Sequence, residues 1–331
     1  MKTTPKPQII DNFGREHTYL RISLTDRCNL RCFYCMPEDG IELADKSEIM
    51  TLEEIVSIAK IFRSLGVDTI RLTGGEPLIR NNAEWLIREL ADLGVTLKLT
   101  TNGIILDKYF DLFQEVGLKR INISLDTLEK SKSVFIAKRD YFDRIMKNIH
   151  TAIDMDFDIK LNIVLIKGVN DMEINDFVDL TRNKNIGVKF IEFMPFKGNE
   201  WDWDKGVSKD EILKKVSSKF GDPEKLEDSK HSTSANYKVP GFEGNFGIVS
   251  TITNPFCAGC NRIRLTSDGK MKNCLFATAE TDLLTPHRNG ESIENIILSS
   301  IKEKKFSRDG MDVEMKKEHY EQNRSMTSIG G

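Results

Sequence analysis

From about Tyr19 to Glu192 the chain alternates short β-rich runs with amphipathic helical runs, and that rhythm admits few folds. The strand-like runs are YLRISL (19–24), DTIRLT (68–73), VTLKLT (95–100), KRINISL (119–125), DIKLNIVLI (158–166) and GVKFIE (187–192). Strands separated by helices form parallel sheets through crossover connections. The clearest helix begins after Thr51, where Thr51 and Glu54 form a capping box. Leu52, Ile55, Ala59 and Phe62 share one face, and Gly66 ends it. Six such units suit an incomplete TIM-type (β/α)6 barrel, although an open doubly wound sheet has the same periodicity.

The strands themselves favour the barrel. Parallel strands covered on both faces read as continuous apolar runs, whereas these alternate. Leu20, Ile22 and Leu24 oppose Arg21, Ser23 and Thr25; Ile70 and Leu72 oppose Thr69, Arg71 and Thr73. Ile121 and Ile123 oppose Asn122 and Ser124, and Leu161 and Ile163 oppose Lys160 and Asn162. With the apolar faces on the helices, the polar faces line a common interior. Arg21, Arg71 and Lys160 cannot be buried there without partners, so the pattern calls for an anionic ligand or a wet cavity.

All six cysteines fall into two triplets, Cys28, Cys32 and Cys35 in CNLRCFYC, and Cys257, Cys260 and Cys274 in FCAGCNRIRLTSDGKMKNCLF. Met1 leads into KTTPKPQII without an apolar run, which points to a cytoplasmic protein with reduced thiols. Clustered cysteines then suit metal rather than disulfides. Three thiolates in CxxxCxxC spacing could hold three irons of a four-iron cluster and leave the fourth open for a ligand. The first triplet follows the first strand, Gly74-Gly75-Glu76-Pro77 the second, and Thr101-Asn102-Gly103 the third. In a barrel these turns meet at one rim, where active sites collect. Glycine backbone can approach a ligand closely, and Glu76 or nearby carbonyls can accept from an ammonium group.

The 331 residues suffice for a large core and two domains, with a division near 225: a barrel over 11–225 and a smaller α+β region over 226–331 carrying the second triplet. In that second region TSANYKVP and GNFGIVSTIT read as antiparallel strands, and Thr266-Ser267-Asp268-Gly269 as a hairpin turn. A net charge of −3 argues against nucleic-acid or membrane-surface binding. No apolar stretch approaches the roughly 20 residues of a membrane span. The five histidines show no ligand spacing.

CNLRCFYC and GGEP on successive units resemble the radical S-adenosylmethionine (SAM) enzymes. LRISLTDRCNLRCFYCMP, RLTGGEPLIR, TTNG, INISLD, FIEFM, the second triplet and the terminal IGG are similar to the GTP 3′,8-cyclase family, from about Phe13 to Gly331. The resemblance implies two [4Fe-4S] clusters: one on Cys28, Cys32 and Cys35 whose open iron is chelated by SAM, and one on Cys257, Cys260 and Cys274 whose open iron meets guanine. It places Tyr34, Gly75, Ser124 and Met194 at SAM, and Arg21, Arg71, Thr100, Lys160, Arg262 and Arg264 at GTP. Gly330 and Gly331 would enter the pocket and assist SAM cleavage. Relatives commonly carry Lys at the position of Thr69 and Arg at that of Lys189, which bears on nucleotide affinity.

The implied chemistry is radical. SAM cleavage by one electron from an external reductant yields a 5′-deoxyadenosyl radical that takes hydrogen from ribose C3′. Attack on guanine C8 and reduction, with the second cluster as a route for the electron, gives the cyclised nucleotide of molybdenum cofactor biosynthesis. Several Arg and Lys groups suit a triphosphate. The next pathway enzyme would be cyclic pyranopterin monophosphate synthase, and monomer and homodimer are both open. The alternatives are a peptide-modifying radical SAM enzyme with an auxiliary cluster, a zinc-binding module with two three-cysteine sites, and an RNA-modifying enzyme. The interposed arginines and IGG tail, the GGEP turn, and the lack of a basic stripe argue against these in turn.

Overall fold

The computed structural model describes residues 8–36, 40, 43–311 and 320–330. All six expected strands form, as β1 (Tyr19–Ser23), β2 (Thr69–Thr73), β3 (Thr96–Thr101), β4 (Arg120–Ser124), β5 (Asp158–Leu165) and β6 (Gly187–Glu192). They lie side by side in chain order, all parallel. The alternation is realised: Leu20, Ile22, Ile70, Leu72, Ile121, Ile123 and Ile163 are fully buried against the helices, while the polar residues face inward. Helix α1 (Leu52–Ser64) starts with the expected capping box between Thr51 and Glu54, and buries Ile55, Ala59 and Phe62.

The chain after β6 does not build a separate sheet. Its strands β7 (Glu224–Lys225), β8 (Ala235–Lys238) and β9 (Asn245–Val249) extend one edge, and β10 (Arg262–Leu265), β11 (Lys270–Lys272) and β12 (Thr281–Asp282) extend the other. The expected antiparallel pairs are present, β8 on β9 and β10 on β11. In addition β9 runs parallel to β6 and β10 parallel to β1. A six-strand partial barrel leaves two edges with unpaired backbone groups, and β9 and β10 satisfy them. Both edges of the opening are therefore walled by the region that carries the second triplet. The result is an α/β fold, an incomplete (β/α)6 barrel with a C-terminal α+β region.

Candidate active site

Strand register assembles a row of cations. Arg264 of β10 lies opposite Arg21 of β1, which lies opposite Arg71 of β2; Arg71 faces Lys98 of β3, and Lys98 faces Arg120 of β4. Like charges on directly opposite positions destabilise a sheet. Each is accommodated differently. Arg120 pairs with Asp158 at 3.5 Å, and Lys98 lies 5.0 Å from the centre of the Tyr19 ring. Arg71 donates to Tyr19 Oη at 2.6 Å, to the Leu99 carbonyl at 2.7 Å and to Thr100 Oγ1 at 3.2 Å. Burial, with Arg264 beside it, holds Arg21 well below the ordinary guanidinium range, and burial brings Arg264 down to about 10. Of these five, Arg21 and Arg264 face the cavity described next.

A cavity of about 340 Å³ opens on this inner face. Both cysteine triplets line it, from loops more than two hundred residues apart in the chain. Arg21, Thr100, Arg262 and Arg264 reach its wall, as do Tyr34, Gly75, Ser124 and Met194. Arg71 and Lys160 do not: Arg71 is committed to the bonds above, and the Lys160 stem lies across Gly187. Lys189, where relatives carry Arg, is on the wall. Burial, reinforced by Lys160, Arg71 and Arg262, pushes its ammonium down to about 7. Thr69 is not on the wall; its hydroxyl turns to Asp68 at 2.9 Å.

Around the first triplet the charges are mixed, with Arg31 donating to the Cys28 carbonyl at 2.6 Å and Asp126 acting on Cys32 and Cys35. Burial pushes the Cys35 thiol up to about 12, and raises Cys28 and, more strongly, Cys32. Asp126 raises Cys32 further; its own carboxyl, lifted by burial to about 6, accepts from Tyr34 Oη at 2.7 Å and from the Val164 N–H at 2.9 Å. Cys28 Sγ receives the Leu30 N–H at 3.4 Å and Asn102 Nδ2 at 3.9 Å. The GGEP turn is pinned to the loop after β1. A Cβ on Gly75 would collide with the Arg27 carbonyl, and Gly74 has φ +147°. The Gly75 and Glu76 N–H groups donate to the Thr25 and Arg27 carbonyls, each at 2.8 Å.

The Glu76 carboxylate is not a ligand-facing acceptor, contrary to the expectation. It is fully buried and accepts from Leu78 N–H (3.1 Å), Thr101 Oγ1 (2.8 Å) and Asn102 N–H (2.7 Å). It ties the second turn to the third. What the segment offers the cavity is glycine backbone, at Gly74 and Gly75.

Around the second triplet the surroundings are cationic. Burial pushes Cys274 up to about 11, yet Cys260 lies below its ordinary value because Lys304, Arg262 and Arg15 outweigh its burial. Arg15 donates to the Cys257 carbonyl at 2.7 Å and to the Phe306 carbonyl at 2.8 Å. Asp11 orients it at 2.6 Å and also accepts from the buried His17. Burial, then Lys304, brings that imidazole down to about 4, so it serves the core as a neutral group. Glu192, at the end of β6, accepts from the Ile252 N–H at 2.7 Å and steadies the loop that leads to Cys257.

The described tail ends beside the cations. Gly330 accepts from Arg264 Nη1 and, at 3.4 Å, from Arg21 Nη2; Ile329 accepts from Arg264 at 3.2 Å. With φ +71° and the Thr73 hydroxyl where a Cβ would sit, the position admits only glycine. Gly331 lies outside the described residues. Upstream, Arg324 grips both oxygens of Asp268 at 2.9 and 2.8 Å and Glu280 at 2.5 Å. Lys272, fully buried, donates to Glu280 and Asn323, each at 3.1 Å. Asp268, raised by burial but lowered more by Arg324, lies at about 2.

The donor set fits two iron–sulfur clusters. All six cysteines are free of disulfides, and neither histidine nor carboxylate completes a ligand group around either triplet among the described residues. A cluster distributes its thiolates over several irons and supplies the positive charge that ionises buried thiols. Among the described residues no helix is long and apolar enough to cross a membrane.

Residues 22–181 match the Radical SAM superfamily and residues 186–309 match Molybdenum Cofactor Synthesis C. A mitochondrial GTP 3′,8-cyclase of Arabidopsis thaliana is 46% identical, over 98% of this chain and 83% of its own. The GTP 3′,8-cyclase of Peptoclostridium acidaminophilum is 45% identical, over 98% of this chain and 99% of its own. The chain belongs to the GTP 3′,8-cyclase family. It spans about half the length of the relatives named Molybdenum cofactor biosynthesis protein 1, being 50% for that of Dictyostelium discoideum. In fold it is similar to Streptococcus suis SuiB bound to S-adenosylmethionine, with a TM-score of 0.61 and 14% identity, over 87% of this chain and 68% of that one. As in its radical SAM relatives, the cofactors are iron–sulfur clusters and SAM.

The sequence did not flag Asn102, Asp126, Lys98, Lys304 or the Arg324 clasp. Asn102 lies in a turn that the sequence did place at the rim. The others act across elements distant in the chain, so spacing carries no signal for them.

Proposed function

We propose that this chain converts GTP to (8S)-3′,8-cyclo-7,8-dihydroguanosine 5′-triphosphate, the first step of molybdenum cofactor biosynthesis. The observation that carries the reading is the convergence of both cysteine triplets with Arg21, Arg262 and Arg264 on one cavity. Cys28, Cys32 and Cys35 would hold the cluster that binds SAM, and Cys257, Cys260 and Cys274 the cluster that meets guanine. When bound, the first cluster and SAM supply the one-electron chemistry that removes the hydrogen at ribose C3′, after which C3′ joins guanine C8.

The chain's own side chains bind and orient. Bare backbone at Gly75, with Tyr34, Ser124 and Met194, shapes the SAM end. Arg21, Arg262, Arg264 and Lys189 neutralise the triphosphate, Thr100 borders it, and Arg71 and Lys160 support it from behind. Gly330 lies next to Arg264, and Gly330 and Gly331 would assist SAM cleavage. The walls exclude water, which keeps a radical from side reactions. The two proposed portions, 11–225 and 226–331, contribute one cluster each.

A monomer or a homodimer is the proposed state. The reaction needs an external one-electron reductant, and its product would pass to cyclic pyranopterin monophosphate synthase. The cytoplasm is the proposed compartment. Anaerobic reconstitution with iron and sulfide, then dithionite, SAM and GTP with mass spectrometry, tests the reading. About eight irons per chain and GTP-dependent formation of both 5′-deoxyadenosine and the cyclised nucleotide support it; SAM cleavage with GTP unchanged overturns the substrate.

A further inference from the structure

Lys304 faces the second triplet from outside the cavity wall and has no part in the reading above. It follows the helix Glu294–Lys302 and is 4% exposed. Its ammonium donates to Cys260 Sγ at 3.6 Å and to the Arg262 carbonyl at 2.8 Å. Among the described residues it forms no ion pair with a carboxylate. A buried ammonium needs an anion, and the group within its hydrogen-bond reach that can carry a negative charge is the Cys260 sulfur, with Cys274 and Asp309 also in its field. The Arg262 carbonyl fixes the angle of approach. Because Arg262 sits two residues after Cys260, the same lysine clasps both the cysteine and the start of β10.

Hydrogen bonds to cluster sulfurs and local net charge set iron–sulfur reduction potentials. One added electron makes a cluster more anionic, so a fixed neighbouring cation stabilises the reduced form. Among the described residues no cation hydrogen-bonds a sulfur of the first triplet: Cys28 Sγ is met by the neutral donors Leu30 N–H and Asn102, Arg31 reaches the Cys28 carbonyl instead, and Cys32 has Asp126 nearby.

We propose that Lys304 is a positioning residue that hydrogen-bonds the Cys260 thiolate and raises the reduction potential of the second cluster. This rests on the reading that Cys257, Cys260 and Cys274 hold a cluster. The test is a redox titration followed by electron paramagnetic resonance on the reconstituted full chain carrying Cys28→Ala, Cys32→Ala and Cys35→Ala, so that one cluster gives the signal. Lys304→Met should make reduction at least tenfold less favourable, a fall of about 59 mV for one electron. Lys304→Arg, which keeps the cation, should stay near the parent value. Should Lys304→Met not retain iron, Lys304→Gln gives the neutral comparison with a polar group in place. An unmoved potential in the neutral variant overturns the proposal. An equal fall in Lys304→Arg overturns it too, since packing rather than charge would be the cause. A parent protein with no cluster signal overturns the cluster assignment itself.

Discussion

The two cysteine triplets share one cavity and differ in charge. The first sits among neutral donors and a buried carboxyl, and burial raises all three thiols. The second is ringed by Lys304, Arg262 and Arg15, enough to bring Cys260 below its ordinary value despite burial. Spacing within each triplet does not predict this contrast. It arises because the first triplet is held by the turns after β1 to β3, whereas the second is held by β10, which joins the arginine row. The same device that gathers anion-binding side chains thus places several cations around one set of thiolates and leaves the other with Arg31, on the Cys28 carbonyl, set against Asp126.

Separating the triplets should give the largest effect. Replacing Cys28, Cys32 and Cys35 by Ala should abolish SAM cleavage and halve the iron, to about four per chain. Replacing Cys257, Cys260 and Cys274 should halve the iron equally and remove the cyclised nucleotide, with reductive SAM cleavage persisting. Iron assay beside mass spectrometry decides; identical product profiles for the two variants would erase the functional contrast.

Next in size is Glu76→Ala. It strands the Leu78 and Asn102 N–H groups and the Thr101 hydroxyl, and should cost about 3 kcal/mol in chemical denaturation. Iron should be lost selectively from the first triplet, because Asn102 also reaches Cys28. Equal loss from both triplets would show that the turn does not belong to one end.

Much of this was legible in the sequence. The six strands, their two faces, the capping box at Thr51 and the cysteine grouping follow from periodicity and spacing alone. What was not legible depends on pairing between distant segments. Nothing in GNFGIVSTIT or RIRL announces that β9 and β10 will run parallel to β6 and β1, since their partners are chosen by the open barrel edges. Glu76 looked like a ligand acceptor because a turn glutamate beside glycines can face either way. Only the donors at Leu78, Thr101 and Asn102 show that it faces inward. Arg71 and Lys160 were placed correctly on the polar faces, yet in this structure the first spends its donors on Tyr19, Leu99 and Thr100, and the second does not reach the wall.

Lys189 supplies a pH test of the cationic end. Its ammonium lies at about 7, lowered from its ordinary range, so it is largely neutral in the nucleotide-free protein above pH 7. A bound polyanion favours the charged form and raises that value, so binding takes up a proton and weakens as pH rises above 7. The loss between pH 7 and 9 should be about fivefold if binding restores one unit of pKa and about 25-fold if it restores two. Isothermal titration calorimetry in two buffers of different ionisation enthalpy reads the proton uptake. In Lys189→Arg, which stays charged, both effects should vanish; their persistence would assign the titration elsewhere.

The smallest effect concerns the tail. Arg324→Ala should remove about 2 kcal/mol of anchoring through the lost bonds to Asp268 and Glu280. Carboxypeptidase should then trim the C-terminus faster while the melting temperature changes little. In the parent protein Asp268, at about 2, contributes fully above the ordinary aspartate range and loses that contribution as pH falls through 2. An unchanged trimming rate would place the anchor in the apolar contacts of Ile329 instead.

The decisive measurement uses GTP deuterated at ribose C3′, incubated anaerobically with the reconstituted protein, dithionite and SAM. Deuterium recovered in 5′-deoxyadenosine, together with the cyclised nucleotide, is the expected result. Unlabelled 5′-deoxyadenosine beside intact GTP would contradict it, because the cavity would then generate a radical for some other substrate.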